Sequence, residues 1–142
     1  MSLQIKYGKT ALIAGASEGI GAAFAKHLAM SGMDLLIVAR RIEPLAALAK
    51  EIKEKYKVSV QTVSCDLSKV DAAETLLHAV DQYDIDVFIY NAGLSYIGAF
   101  EKNDTEHHLQ IARTNIMTPL SMVQALGTKM LLRKHYRKIR EE

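Results

Sequence analysis

Short apolar runs alternate with longer amphipathic stretches along the chain. Thr10–Ala14 (Thr-Ala-Leu-Ile-Ala) predicts a buried strand, because its apolar residues are consecutive and the run is short. Residues 22–31 then place Phe24 with Leu28, and Ala25 with Ala29, at helical spacing, and Gly32 stands where that helix should stop. Asp34–Ala39 is a second continuous apolar run, ended by Arg40 and Arg41. A second helix is predicted over residues 43–55, with Pro44 in its first turn and Leu45, Leu48, Ala49 and Ile52 facing inward. Residues 58–63 alternate with period two and predict a third strand. A third helix follows over about residues 69–82, burying Leu76, Leu77 and Val80. Residues 86–90 (Asp-Val-Phe-Ile-Tyr) read as a fourth strand, and residues 94–103 as a loop. The last pattern spans residues 105–134, with Leu109, Ala112, Ile116, Leu120, Val123, Leu126 and Met130 spaced by three and four. Pro119 and Gly127 should weaken or bend that helix, and the charged residues 133–142 should fray.

Strands alternating with helices imply an α/β fold, a parallel sheet with right-handed crossovers. The 142 residues suit a single domain, with no internal repeat or linker. Hydrophobic residues at 49% and charged residues at 24% exclude a mostly disordered chain. A net charge of +2 is too balanced for a nucleic-acid partner. No apolar run has the length of a membrane span, and Met1 to Lys6 do not read as a signal peptide. Cys65 is the one cysteine, which fits a reducing, cytoplasmic setting.

Chemistry concentrates first at Gly15, Gly19 and Gly21, between the first strand and the first helix. Glycines there let backbone N–H groups approach a phosphate, and the helix N-terminus adds positive partial charge. The plainer reading is a tight turn with close helix packing. The strand-turn-helix context favours the phosphate reading, and the absence of a following Gly-Lys-Ser/Thr disfavours a nucleoside triphosphate hydrolase. An NAD site usually places a carboxylate at the end of the second strand. Here Ala39 stands there, followed by Arg40 and Arg41, so a 2′-phosphate meets no repulsion and finds guanidinium donors. NADP(H) is therefore expected over NAD(H). A pair of solvated charges is the plainer alternative, and Glu18 inside the turn is a mild objection.

The turn Ala14-Gly-Ala-Ser-Glu-Gly-Ile-Gly21, Asp66 after the third strand and Asn91-Ala92-Gly93 after the fourth together resemble the short-chain dehydrogenases/reductases. The resemblance covers nearly the whole chain, with Ala14 in place of the family's usual Thr. It implies a three-layer Rossmann-type parallel sheet of strand order 3-2-1-4, incomplete on the fourth-strand side. It also implies hydride transfer between NADP(H) and a small carbonyl or alcohol substrate in a complete enzyme. By the same resemblance, Gly15, Ser17, Gly19, Ile20 and Gly21 line the diphosphate and ribose, with Arg40 and Arg41 at the 2′-phosphate. Asp66 and Leu67 meet the adenine. Asn91, Ala92 and Gly93 pass beside the adenine ribose. Asn115 resembles the family's proton-relay Asn, which makes it the one catalytic candidate. Asp66 also reads as a helix N-cap.

The family's Ser, Tyr and Lys follow a fifth strand, and the sequence to Glu142 is read as stopping before one. Tyr136 and Arg140 have the spacing Tyr-x-x-x-Arg but lie on or just beyond the last helix, and Ser121 lies inside it, so none is taken as catalytic. No metal site is expected: His107 and His108 are adjacent and diverge on a helix, and Cys65 lacks ligand spacing. The fourth strand would be an apolar edge and the long helix would lack partners, so a homo-oligomer is expected. The alternative to an oxidoreductase portion is a non-catalytic nucleotide-binding or self-associating module.

Overall fold

The computed structural model describes the backbone of residues 3–141 and the side chains of residues 3–134. A short helix α1 (Leu3–Tyr7) leads into β1 (Thr10–Ala14), α2 (Gly19–Met30), β2 (Asp34–Ala39), α3 (Ile42–Tyr56), β3 (Val60–Ser64), α4 (Ala72–Val80) and β4 (Val87–Tyr90). A 3₁₀ turn (Phe100–Lys102) precedes α5 (Thr105–Ala112), a π-helical turn (Arg113–Met117) and α6 (Thr118–Glu141). The strands form one parallel sheet ordered β3-β2-β1-β4, as the resemblance implies.

The period of two along each strand divides the core into two halves. Ala11 and Ile13 of β1, with Leu35 and Ile37 of β2, point to one face and pack on Ala25, Leu28 and Ala29 of α2 and Leu45, Leu48 and Ile52 of α3. Leu12 and Ala14, with Leu36 and Val38, point to the other and pack on Leu76 and Val80 of α4 and Met122 and Leu126 of α6. Helices on both faces explain why these strands read as unbroken apolar runs rather than alternating ones. Burying a Leu or Ile side chain contributes about 1.5–3 kcal/mol, so these two clusters dominate stability.

Several boundaries differ from the sequence reading. The third strand starts two residues late, because pairing with β2 begins at Leu35↔Val60 while the Ser59 amide donates to the Asp34 carboxylate. Helix α4 begins at Ala72 rather than residue 69, because Ser68 folds back onto Asp66 in a local turn. Asp66 is therefore not the N-cap of this helix; Asp71 holds that position without a side-chain cap bond. Helix α1 was not expected, and at five residues it carries no readable periodicity.

The long C-terminal helix is interrupted where Pro119 lies. Proline has no N–H to donate to the carbonyl four residues back, and its ring crowds that carbonyl. The chain answers with one π turn, in which the Thr118 N–H donates to the Arg113 carbonyl five residues back. Pro119 then sits in the first turn of α6, where its missing N–H costs nothing. The α6 backbone continues to Glu141, past the expected end at residue 134. The side chains of Tyr136 and Arg140, and those on which the expected fraying bears, lie outside the described residues.

Candidate functional site

The C-terminal ends of the four strands open onto one cleft of about 400 Å³. Gly15, Ser17, Glu18, Arg40, Arg41, Asp66, Leu67, Asn91, Ala92 and Gly93 all line it. Residues from four separate segments thus converge on one place, as their positions after successive strands require.

The glycine turn hangs from the sheet by its backbone. The Gly15 and Ala16 amides both donate to the Val38 carbonyl, at 2.9 and 3.1 Å. Gly15 has φ +81°, and a Cβ there would fall 2.5 Å from the Ala92 amide nitrogen. Its carbonyl accepts the Asn91 side-chain amide at 3.2 Å. A Cβ on Gly21 would lie 1.9 Å from that same carbonyl. Gly21 therefore lets α2 close onto the turn, while Gly19, φ +58°, has open space beside its Cα. Gly19, Ile20 and Gly21 start α2 but do not line the cleft, and Ile20 is exposed.

Arg40 and Arg41 stand at the mouth, beyond the end of β2. The Arg41 guanidinium donates to Glu18 at 3.1 Å, so the carboxylate that counted against an anion site is paired. Asp66 accepts the Ser68 amide at 3.0 Å and the Ser68 hydroxyl at 2.7 Å. Partial burial pushes its carboxyl up, but these two donors, with the charges of Arg40 and Lys69, outweigh that and hold it below the usual carboxylate value. Cys65 is buried beside it; burial, then the charges of Asp66 and Asp71, push its thiol up, which makes it a poor nucleophile.

Asn115 sits in the π turn. Its side-chain oxygen accepts the Leu94 amide and its nitrogen donates to the Leu94 carbonyl, both at 2.8 Å. It borders a second hollow with Tyr90, Gly93, Ser95 and Pro119 instead of the first cleft. The sequence reading missed several lining residues: Cys65 and Ser68 flank Asp66, and His107, Gln110 and Thr114 come from the helix opposite. The last three were legible as one polar stripe spaced by three and four. Among the described residues His107 Nε2 is buried without a hydrogen-bond partner, whereas His108 Nε2 lies 2.9 Å from the Phe100 carbonyl and its ring stacks on Phe100. Among the described residues no group of three or more His, Cys, Asp or Glu could hold a metal ion, and no helix is long and apolar enough to cross a membrane.

Comparison with known proteins agrees with this geometry. The chain is 42% identical over 118 residues to the 7beta-hydroxysteroid dehydrogenase of Clostridium sardiniense, covering 83% of this chain and 45% of that protein. It is 33% identical over 94 residues to the very-long-chain 3-oxoacyl-CoA reductase-A of Danio rerio, covering 66% and 30%. The chain thus spans less than half the length of these curated relatives. Among solved structures, a 7beta-hydroxysteroid dehydrogenase superposes with a TM-score of 0.87 at 35% identity, over 94% of this chain and 53% of that one. A metagenomic short-chain oxidoreductase in complex with NADP gives 0.77 at 30% identity, over 89% and 58%. The short chain dehydrogenase family model matches residues 9–139, and with the parallel sheet, the glycine turn and the converging strand ends this chain belongs to that family.

Proposed function

We propose that this chain is the NADP(H)-binding portion of an oxidoreductase that moves a hydride between NADP(H) and a small carbonyl or alcohol substrate. The observation that carries the reading is the mouth of the cleft: Ala39 in place of a carboxylate, two guanidiniums beyond it, and Glu18 already paired with one of them. A 2′-phosphate there meets forked donors and no bare negative charge.

The residues fit the group. Gly19 at the N-terminus of α2 leaves open space where a diphosphate can approach backbone N–H groups. Asp66 and Leu67 take the adenine side, with Gln110 and His107 on the facing helix. Ala92 and Gly93 lie along the ribose. Bound, the nicotinamide supplies or accepts the hydride. What this chain does is bind the adenine half, orient the dinucleotide along the strand ends and hold the Leu94 segment through Asn115. A proton-relay role for Asn115 belongs to the same proposal.

Titration of the full chain with NADPH and NADH tests the reading. Tighter binding of NADPH supports it; equal affinity, or no binding of either, overturns the assignment to NADP(H).

A homo-oligomer belongs with this reading. Among the described residues strand β4 pairs only with β1, and Ile116, Leu120 and Val123 are exposed on the π turn and α6. A cytoplasmic setting is part of the same proposal, supported by the free Cys65.

A further inference from the structure

The π turn does more than absorb Pro119. It reaches both walls of the cleft through side chains that do not line the cleft themselves. Thr118, buried at the first position of α6, donates its hydroxyl to the Leu67 carbonyl at 3.0 Å. Arg113, at the other end of the turn, reaches the Ser68 carbonyl at 3.4 Å while its fork is held by Glu106 at 2.7 and 3.2 Å. Asn115 between them ties the opposite wall at Leu94. The Leu67 and Ser68 carbonyls belong to the wall that carries Asp66, and neither Thr118 nor Arg113 is part of the cleft surface.

The register of the turn is what makes this possible. Thr118 bonds five residues back through its backbone, so its side chain enters the core one position out of the α-helical sequence, facing the β3–α4 turn. Within that turn the bonds are short-range: Ser68 to Asp66, and the Lys69 amide to the Asp66 carbonyl at 3.2 Å. A four-residue turn held only by itself would be free to shift as a unit; a buried hydroxyl anchored 51 residues away removes that freedom.

We propose that Thr118 is a positioning residue for the nucleotide's base: through the Leu67 carbonyl it fixes the wall formed by Asp66 and Leu67, with Arg113 as a weaker second anchor at Ser68. The inference rests on the reading of the cleft as a nucleotide site, but the anchoring itself is measurable without a nucleotide.

The test uses the full chain with Thr118→Val, which keeps the shape and removes the donor, and Thr118→Ser, which keeps the donor. Amide hydrogen exchange is followed at Lys69 and in β1 and β2, and binding is titrated with NADPH and with adenosine 2′,5′-bisphosphate. The valine variant is expected to speed Lys69 exchange about fivefold, as loss of one hydrogen bond implies, with β1 and β2 unchanged. It is expected to weaken both nucleotides by a similar factor, with the serine variant within about twofold of the parent. Unchanged Lys69 exchange in the valine variant, or a serine variant as defective as the valine one, overturns the proposal. Should the valine variant lose protection in β1 and β2 as well, Arg113→Gln probes the same wall from a partly exposed side chain; unchanged Lys69 exchange there also counts against it. Faster Lys69 exchange in a chain that binds neither nucleotide supports the anchor and overturns the nucleotide reading.

Discussion

The Tyr90 phenol donates a 2.6 Å hydrogen bond to the Thr114 carbonyl, and the π turn is what leaves that carbonyl free. In an unbroken α-helix the Thr118 amide would take it; here that amide bonds Arg113 instead. The last residue of β4 and the interrupted helix are thereby joined at the floor between the two hollows.

Removing this bond with Tyr90→Phe leaves a carbonyl in a buried residue without its partner, at a cost of about 1–2 kcal/mol. The phenol also carries a pH signature. Burial, then the nearby Cys65, pushes its pKa up to about 12. A folded-state pKa above the unfolded value near 10 favours the folded state while the phenol is protonated. That contribution is fully present below about pH 10 and is lost as pH rises toward about 12. Urea unfolding at pH 8 and pH 11 should show a steeper loss for the parent than for the phenylalanine variant. Parallel losses would mean that Tyr90 is not the group responsible.

Gly21 and Gly127 make a matched pair. Alanine at Gly21 brings a Cβ to 1.9 Å from the Gly15 carbonyl, a backbone atom that cannot rotate away. The glycine turn must shift, and a loss of about 1–3 kcal/mol is expected, together with weaker nucleotide binding. Gly127 lies inside α6, and beyond the helix's own backbone no atom of the described residues lies within 4 Å of where its Cβ would stand. Alanine there should stabilise by about 0.5–1 kcal/mol, because glycine is the poorer helix former. Thermal unfolding of both variants checks the opposite signs.

How much of this was legible in the sequence follows from where the information lies. Strands β1 and β2 were placed to the residue, because sheet burial on both faces writes an unbroken apolar run into the chain. The strand-end positions of Gly15, Arg40, Asp66 and Asn91 brought them to one cleft for the same reason. The π turn was not legible. Pro119 announced a disturbance, but the apolar spacing of three and four passes through Ile116 and Leu120 unbroken, so periodicity could not say that an amide would reach back five residues. The local turn at Asp66–Ser68 was mistaken for a helix cap because Asp, Ser and Thr serve both roles, and only the start of α4 at Ala72 separates them. The partners of Glu18 and Thr118 depend on contacts 23 and 51 residues away, which no local pattern encodes.

Asp86 joins the start of the sheet to its fourth strand. Its carboxylate accepts the Lys9 and Thr10 amides at 2.8 and 3.2 Å, and its own amide donates to the Thr10 carbonyl at 2.9 Å. Gly8 must be glycine for the carboxylate to sit there, since a Cβ would come within 2.4 Å of it. Asp86→Ala removes an ionised acceptor from two backbone donors and should cost about 2–3 kcal/mol. Asp86→Asn keeps one acceptor oxygen and should cost less. Equal losses in denaturant unfolding would show that the retained amide oxygen and the side chain's bulk contribute nothing, and that the carboxylate's charge accounts for the whole effect.

The last prediction concerns the choice of cofactor. Arg41 is paired with Glu18 at 3.1 Å, with both side chains more than half exposed, whereas Arg40 lines the same cleft as Asp66 and its charge helps hold that carboxyl down. An exposed ion pair contributes about 0–1 kcal/mol, so a 2′-phosphate can draw Arg41 away at small cost. Arg40→Ala should therefore weaken NADPH binding by about tenfold and NADH by much less, as loss of a charge-assisted bond implies. Glu18→Gln acts in the opposite direction. It frees Arg41 and removes a negative charge, so NADPH affinity should rise by about twofold to fivefold, more at low salt than at high salt. NADH, lacking the 2′-phosphate, should gain less than NADPH from that change. Titration of both dinucleotides against the two variants separates the contributions. Equal gains for NADPH and NADH in Glu18→Gln would locate the effect of Glu18 at the diphosphate rather than at Arg41.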